Sequence, residues 1–327
     1  MPLPGQSSIE GTARFAERMG GGLPRFYRVE QGLRISSIGI GTYRGKRDPA
    51  TDASYLSALG AAFRGGINLV DTAIIYRDQQ SERLVGTAIA EFIRQGRGRR
   101  DELVVCTKGG YLLPERGGDV VDGIHSIAPT FLADQLSRSL RNLGLTTIDV
   151  YYIHNPEIQL RAVSAATFLT EMRRAFECLE SAVSRGAIRY YGTATWPGYI
   201  DGMLSLPALA GIAREVAGEA HHFRFIQLPF SLGMQEALAA GVLEVARDLG
   251  ITAIASAPLW QGRLVGDRPA DAQRALQFAR SAPGIAAALV GMSSSRHVEE
   301  NLAVAARPPL TRRELERLRS AGVGVRP

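Results

Sequence analysis

"INLVDTAIIYRDQQSERLVGTAIAEFIRQGRGRRDELVVCTK" occupies residues 67 to 108. It opens on a short apolar run, "INLV", that stops at Asp71, crosses an amphipathic helical segment starting at Ser81, and closes on a second run, "LVVCT", that stops at Lys108. Two strands joined through a helix run parallel, so this stretch is one crossover unit of a parallel sheet. The same alternation extends outward in both directions. Upstream lie "ISSIGIGT" and a helix from Asp52; downstream come a helix from Phe131, "DVYYI", and a helix with Phe168, Met172, Phe176, Leu179 and Val183 on one face. "IRYYG", "FRFIQ", "ITAIA" and "AAALVG" follow, separated by further helical stretches. About eight strands, each followed by a helix, predict an α/β fold of the closed (β/α)8 TIM-barrel type rather than an open sheet.

Glycines at 144, 186 and 250 stand where helices should end. A hairpin of "FYRVEQ" and "GLRIS" precedes the first barrel strand and is expected to plug the barrel bottom. Thr311 and Glu314 form a capping-box pattern that opens one extra C-terminal helix. Residues 1–24 read as a loose Gly/Ser-rich tail, and 25–327 as a single barrel domain without linker or internal repeat. The 45% hydrophobic and 21% charged composition is that of a globular protein. The net charge of +6 comes from basic residues interleaved with acids, so no nucleic-acid partner is expected. No apolar stretch is long enough for a membrane span, and the N-terminus lacks the apolar core of a signal peptide. Cys106 and Cys178 make neither a disulfide framework nor a metal pair. A cytoplasmic location and no metal are therefore expected, while the sequence leaves homo-oligomerisation open.

Catalytic groups in such barrels sit at the C-terminal ends of the strands. Three consecutive runs end on a polar residue: "INLVD" on Asp71, "LVVCTK" on Lys108 and "DVYYIH" on His154. Tyr76 falls on the loop just beyond Asp71. Lys108 is one of only two lysines among 38 basic residues. A lysine places a compact charge beside a phenol without the bidentate geometry arginine demands. An ammonium lowers the pKa of a neighbouring tyrosine, which is otherwise a reluctant acid near pKa 10. Asp71 would hold Lys108, Tyr76 would give its proton to a carbonyl oxygen, and His154 would orient that carbonyl and help relay the proton. Taken singly, each residue has a plainer reading: a turn cap, a loop tyrosine, an ion pair, a strand-end histidine. Cys106, two residues before Lys108, is expected to face the barrel core. Their conjunction at successive strand ends is what favours chemistry.

The stretches "NLVDTAIIY" with "SERLVG", "VVCTKGGY", "SLRNLGLTTIDVYYIH", "IRYYGTATW", "FIQLPFSL", "IASAPLWQGRL" and "LVGMSSSRHVEENL" occur in order across most of residues 34 to 305. In them the sequence resembles the aldo-keto reductase family. The resemblance implies NADPH-dependent reduction of an aldehyde or ketone, with Asp71, Tyr76, Lys108 and His154 as the catalytic tetrad and a small carbonyl compound as partner. It further implies a cofactor across the barrel mouth. Gly41, Thr42, Tyr43, Asp71, Asn155, Thr195 and Gln227 would lie near the nicotinamide. Ser256 would stand at the nicotinamide's stacking position and Pro258 would also contact the cofactor; Leu259, Gln261, Gly262 and Leu264 would cover the pyrophosphate, and Ser293, Ser294, Arg296, Glu300 and Asn301 would lie around the adenosine 2′-phosphate and adenine. No Rossmann glycine fingerprint is present, since "GIGTYRG" (39–45) has the wrong spacing. Arg296 favours NADPH by charge-assisted hydrogen bonds, with NADH not excluded.

Several positions depart from the family pattern. Ser256 stands where the family has an aromatic that stacks on the nicotinamide, with Trp260 or Phe230 as candidate replacements. Ala194-Thr195 replaces the usual Ser-Asn, and His297 holds the usual basic position. Tyr111, Trp196, Trp260 and the loop 111–129 are candidates for the substrate pocket, with plain packing an equal reading for the aromatics. Two other functions remain open: a non-catalytic NADPH-binding regulatory subunit, suggested by "YYGTATW", and a lyase or aldolase with a Schiff base on Lys108.

Overall fold

The computed structural model describes residues 1–113, 124–265 and 269–320. Along the chain, α1 (Ile9–Met19) precedes a hairpin of β1 (Tyr27–Glu30) and β2 (Leu33–Ser36). Then come β3 (Ile38–Gly41), α2 (Pro49–Arg64), β4 (Leu69–Asp71), α3 (Gln80–Arg94), β5 (Val104–Gly109), α4 (Pro129–Leu143) and β6 (Ile148–His154). The second half runs through α5 (Ala165–Ser184), β7 (Ile188–Ala194), α6 (Leu206–Ala217), β8 (Phe223–Pro229), α7 (Glu236–Ala239), α8 (Val242–Asp248) and β9 (Thr252–Ser256). It ends with α9 (Pro269–Ser281), β10 (Ile285–Gly291), α10 (Ser295–Ala305) and α11 (Arg312–Ser320). Strands β3 to β10 pair in parallel with their sequence neighbours, and β10 returns to β3, closing an eight-stranded (β/α)8 barrel.

Both faces of these strands are covered, which is why their sequences are continuous apolar runs instead of alternating ones. Inside the barrel Leu69, Val104, Cys106, Val150, Tyr152, Phe225, Ile254 and Leu289 form one cluster. On the outside Val70, Val105, Tyr151, Ile153 and Ile226 pack with helix residues such as Leu59, Phe63, Phe176 and Leu276. The hairpin closes the bottom: Leu33 and Ile35 join the interior cluster while Arg34 between them is exposed. Asn68, just before β4, fixes the hairpin there by accepting from Ser36 N (2.8 Å) and donating to the Arg34 carbonyl (2.8 Å). The closed end leaves the opposite mouth for chemistry. Gly144 ends α4 in a left-handed conformation (φ 62°), and Thr311 with Glu314 caps α11 reciprocally.

The first twenty-four residues are not a loose tail. Ser8 caps α1 by accepting from Gly11 N (2.8 Å), and the helix buries Thr12, Phe15 and Ala16. Arg14 and Arg18 reach Glu102, whose side chain is only 1% exposed, at 3.0 and 2.6 Å. Leu3 bridges to Leu145, and Ser7 N donates to the buried Asp149 (2.6 Å), which also accepts from Val105 N and Arg100. Gly11 belongs to this packing, since a Cβ there would lie 2.3 Å from the Asp101 carbonyl oxygen.

Phe15 is fully buried and meets Tyr27 edge to face. Phe15→Ala is therefore expected to cost about 3–5 kcal/mol of unfolding free energy, and removal of residues 1–24 more, because Glu102 loses both arginines. Urea denaturation checks both, and an unchanged midpoint would return the segment to the status of a tail.

Candidate active site

The strand ends deliver the site. In register, Asp71 stands beside Cys106, Lys108 beside Tyr152, and His154 beside Ala194, so residues at the C-terminal ends of β4, β5 and β6 share one mouth. Lys108 is fully buried, and its Nζ donates to Asp71 Oδ2 (2.6 Å) and to the Thr72 carbonyl (2.7 Å). The other carboxylate oxygen of Asp71 accepts from Gln227 Nε2 at the end of β8 (2.9 Å). Tyr76 follows on a turn that Ile74 N ties to the Lys108 carbonyl. Its ring lies 4.8 Å from the Lys108 ammonium, and the Tyr43 and His154 rings meet it edge to face at 5.0 and 6.0 Å between centroids. Three left-handed residues, Arg77, Asp78 and Gln79, carry the chain from this turn into α3. Arg77 anchors them by donating to the Lys46 carbonyl and to Asp52.

Burial opposes the charge on Lys108, but Asp71 and then Tyr76 outweigh it and leave its pKa raised. For Tyr76 the sequence predicted an acidified phenol, and the balance falls the other way. Burial raises its pKa, Lys108 pulls against that, and the Asp71 charge adds to the rise. The phenol thus keeps its proton near neutrality, while the ammonium lowers the cost of giving it up. His154 is pushed well below its usual value by burial, then by Lys108 and His125, so the imidazole is neutral. Cys106 faces the barrel interior and burial raises its thiol pKa, which removes it as a nucleophile.

A cleft of about 730 Å³ opens above these groups. Asp71, Tyr76 and His154 line its floor; Tyr43, Tyr111 and Trp196 line its walls. Asn155 links two of those walls, donating to Tyr111 Oη (2.6 Å) and accepting from Trp196 N (3.1 Å). Thr195 is fixed from behind by a hydrogen bond to the buried Glu157 (2.6 Å). From the floor the cleft runs past Gly41, Thr42, Gln227, Ser256, Pro258, Leu259, Gln261 and Gly262 to Ser293 and His297. Ser294 caps α10 by accepting from His297 N, so the positive end of that helix lies beside the far end of the cleft.

Five residues expected at the cofactor do not line this cleft. Leu264 is buried in the core cluster, Asn301 is buried within α10, and the Ser294 hydroxyl is taken by the helix cap. Arg296 and Glu300 pair with each other one turn apart (2.8 Å), with the Arg296 side chain 79% exposed. His297 occupies the groove instead. Trp260 is not a pocket wall: it and Gln261 take left-handed conformations that turn the indole over Gly233, where Arg263 covers it. Phe230 N donates to the Ser256 carbonyl (3.0 Å), but its ring is buried against Phe278, so neither aromatic lines the cleft at Ser256. Of the loop 111–129, residues 114–123 lie outside the described residues.

Two contributors had no signal in the sequence. Arg44 crosses the cleft to donate to the Gln261 carbonyl (2.8 Å), and His125 packs edge to face on Tyr111 (5.2 Å). Among the described residues no three His, Cys, Asp or Glu side chains are grouped to hold a metal, and no helix is long and apolar enough to cross a membrane.

A family model described as the aldo/keto reductase family matches residues 37–274. Solved structures of similar shape include an aldo/keto reductase from Klebsiella pneumoniae in complex with NADP and acetate. It is 21% identical, with a TM-score of 0.69 over 91% of this chain and 95% of that one. The holo form of an aldo-keto reductase from Bacillus halodurans gives 20% identity and a TM-score of 0.69 over 91% and 95% of the two chains. A glycerol dehydrogenase from Gluconobacter oxydans gives 21% and 0.69 over 92% and 96%.

His125 titrates at about 4 in the fold because burial disfavours the imidazolium, against 6.5 when unfolded. Between these values the unfolded chain binds a proton that the folded chain refuses, so this residue's contribution to stability is lost as pH falls from about 6.5 to about 4. Relative to His125→Gln, the parent should lose about 3 kcal/mol over that window. Urea titrations at several pH values measure it, and parallel curves for the two proteins would contradict the assignment.

Proposed function

We propose that this chain, which belongs to the aldo/keto reductase family, reduces an aldehyde or ketone to the alcohol with NADPH as hydride donor and Tyr76 as general acid. One observation carries the reading. A fully buried lysine, held by Asp71 Oδ2 at 2.6 Å, sits 4.8 Å from the ring of a tyrosine lining the cleft, with the ring of a neutral histidine 6.0 Å from that tyrosine's. NADPH supplies a hydride to the carbonyl carbon. The protein supplies the proton and the orientation. Tyr76 gives its phenolic proton to the carbonyl oxygen, and the Lys108 ammonium stabilises the phenolate left behind. Asp71 keeps Lys108 charged and in place, and Gln227 keeps Asp71 in place. His154, being neutral, offers a ring N–H to the same carbonyl oxygen. General acid catalysis of this kind is worth roughly 10²- to 10⁴-fold.

The groove suits an extended anionic cofactor. Gln227 spends its amide nitrogen on Asp71, which leaves the amide oxygen for a carboxamide donor. Backbone of the 258–262 segment lines the middle, where Arg44 adds positive charge, and the α10 N-terminus lies at the far end, where phosphate is favoured. The Klebsiella relative in complex with NADP supports the same choice. A Schiff base on Lys108 is disfavoured by the same geometry: the amine is fully buried, doubly hydrogen-bonded and held in its protonated form. A screen of small aldehydes and ketones with NADPH and NADH side by side tests the reading. NADPH binding without turnover of any carbonyl would favour a binding subunit instead.

Tyr76→Phe should lower kcat by at least about 100-fold while NADPH binding, followed by fluorescence, stays near the parent value; turnover at the parent rate removes Tyr76 as the acid. Lys108→Arg should also lose most activity despite keeping its charge, because the planar guanidinium cannot fit the two acceptors of a fully buried point charge. Stopped-flow NADPH oxidation is the readout, and a parent-like rate at every pH would contradict the role given to the ammonium.

A further inference from the structure

β6 ends at His154, and the residue after it, Asn155, takes a left-handed conformation (φ 49°). Asn155 N donates sideways to the Ala194 carbonyl of β7. Along a strand, backbone groups alternate sides, so the His154 carbonyl points to the other neighbour, β5. That strand has already finished at Gly109, and the next N–H, that of Gly110, is donated to Gln135 Oε1 (2.7 Å). The ladder therefore offers His154 no backbone donor on this side. A carbonyl withdrawn from water without a donor is left with an uncompensated desolvation cost. His125 fills the gap, with its Nε2 2.6 Å from the His154 carbonyl oxygen.

Every atom around the His125 ring is committed. A carbonyl can only accept, so Nε2 carries the hydrogen; Nδ1 is then the acceptor, and Gln159 Nε2 faces it at 2.8 Å. The same Gln159 amide also reaches the His125 carbonyl (3.2 Å). The ring packs edge to face on Tyr111, whose backbone bridges to His125 and whose own ring packs edge to face on His154 (5.0 Å). Space for the ring is made by Gly110, where a Cβ would lie 2.8 Å from His125 Nε2 and 3.0 Å from the His154 carbonyl. His125 is fully buried and does not line the cleft.

We infer that His125 is a positioning residue: it replaces the missing ladder donor at the end of β6, and so fixes the backbone from which the His154 ring projects toward Tyr76 and the carbonyl. The inference rests on the role given to His154 above. Gln159 fixes the tautomer in which Nε2 carries the hydrogen, and Gly110 provides room for the contact. A displacement of a catalytic group by about 1 Å costs on the order of 10²-fold in rate, so the contact bears directly on turnover.

The experiment compares the parent with His125→Leu, which fills the space without a donor, and His125→Gln, whose amide N–H can reach the same carbonyl. Steady-state reduction of a small aldehyde with NADPH is measured alongside a proton–nitrogen correlation spectrum of the five histidine rings. His125→Leu should lower kcat much more than it raises the carbonyl KM, and should shift the His154 ring signals, while NADPH binding is retained. His125→Gln should restore most of kcat and the parent position of those signals. Equal kcat in parent and His125→Leu, or equal losses in the leucine and glutamine variants, would overturn the inference. If the parent reduces no carbonyl, the functional reading fails by itself, and the ring signals still decide: unmoved His154 signals in His125→Leu overturn the positioning role.

Discussion

The site depends on one buried charge pair. Taking a lysine and an aspartate out of water costs several kcal/mol per ion, and their attraction repays this only when the remaining hydrogen bonds are also satisfied. Here the conditions are met by backbone geometry. β4 and β5 finish side by side, so Asp71 meets the Lys108 ammonium at 2.6 Å, and the Thr72 carbonyl and the Gln227 amide complete the set. The closed barrel makes this arrangement rigid, because β8 reaches Asp71 from across the mouth only if the sheet has returned on itself. Fold and chemistry thus share one constraint.

The electrostatics follow from the pair. Burial holds the phenol protonated, and the ammonium offsets part of that penalty, so in the proposed reaction Tyr76 is an acid that is kept loaded and whose conjugate base is stabilised. Neutral His154 completes the set, since a second cation beside Lys108 is disfavoured by burial and by the lysine itself. Three neighbouring strand ends carry Asp71, Lys108 and His154, and each has a different protonation task.

Much of this was legible in the sequence, for physical reasons. Continuous apolar runs such as "LVVCT" mark strands covered on both faces, and a polar residue closing such a run marks the strand's C-terminal end. Local rules therefore placed Asp71, Lys108 and His154 together. They failed where tertiary packing decides. Gly11 reads as a loop residue, yet it is there because α1 touches the Asp101 backbone. Trp260 reads as a pocket aromatic, but two left-handed residues turn it over Gly233. His125 lies far along the chain from His154 and meets it only through a carbonyl, which no side-chain pattern records. The net rise in the Tyr76 pKa depends on burial, and burial is not a property of a motif.

The central claim is that the Lys108 ammonium stabilises the Tyr76 phenolate. It is tested most directly by titrating Tyr76 itself, using carbon-labelled tyrosine and a Tyr76→Phe spectrum to assign its signal, in the parent and in Lys108→Met. The account predicts that loss of the ammonium moves the ionisation of Tyr76 to higher pH. A Tyr76 titration that stays where it was, in a variant that remains folded, would contradict it.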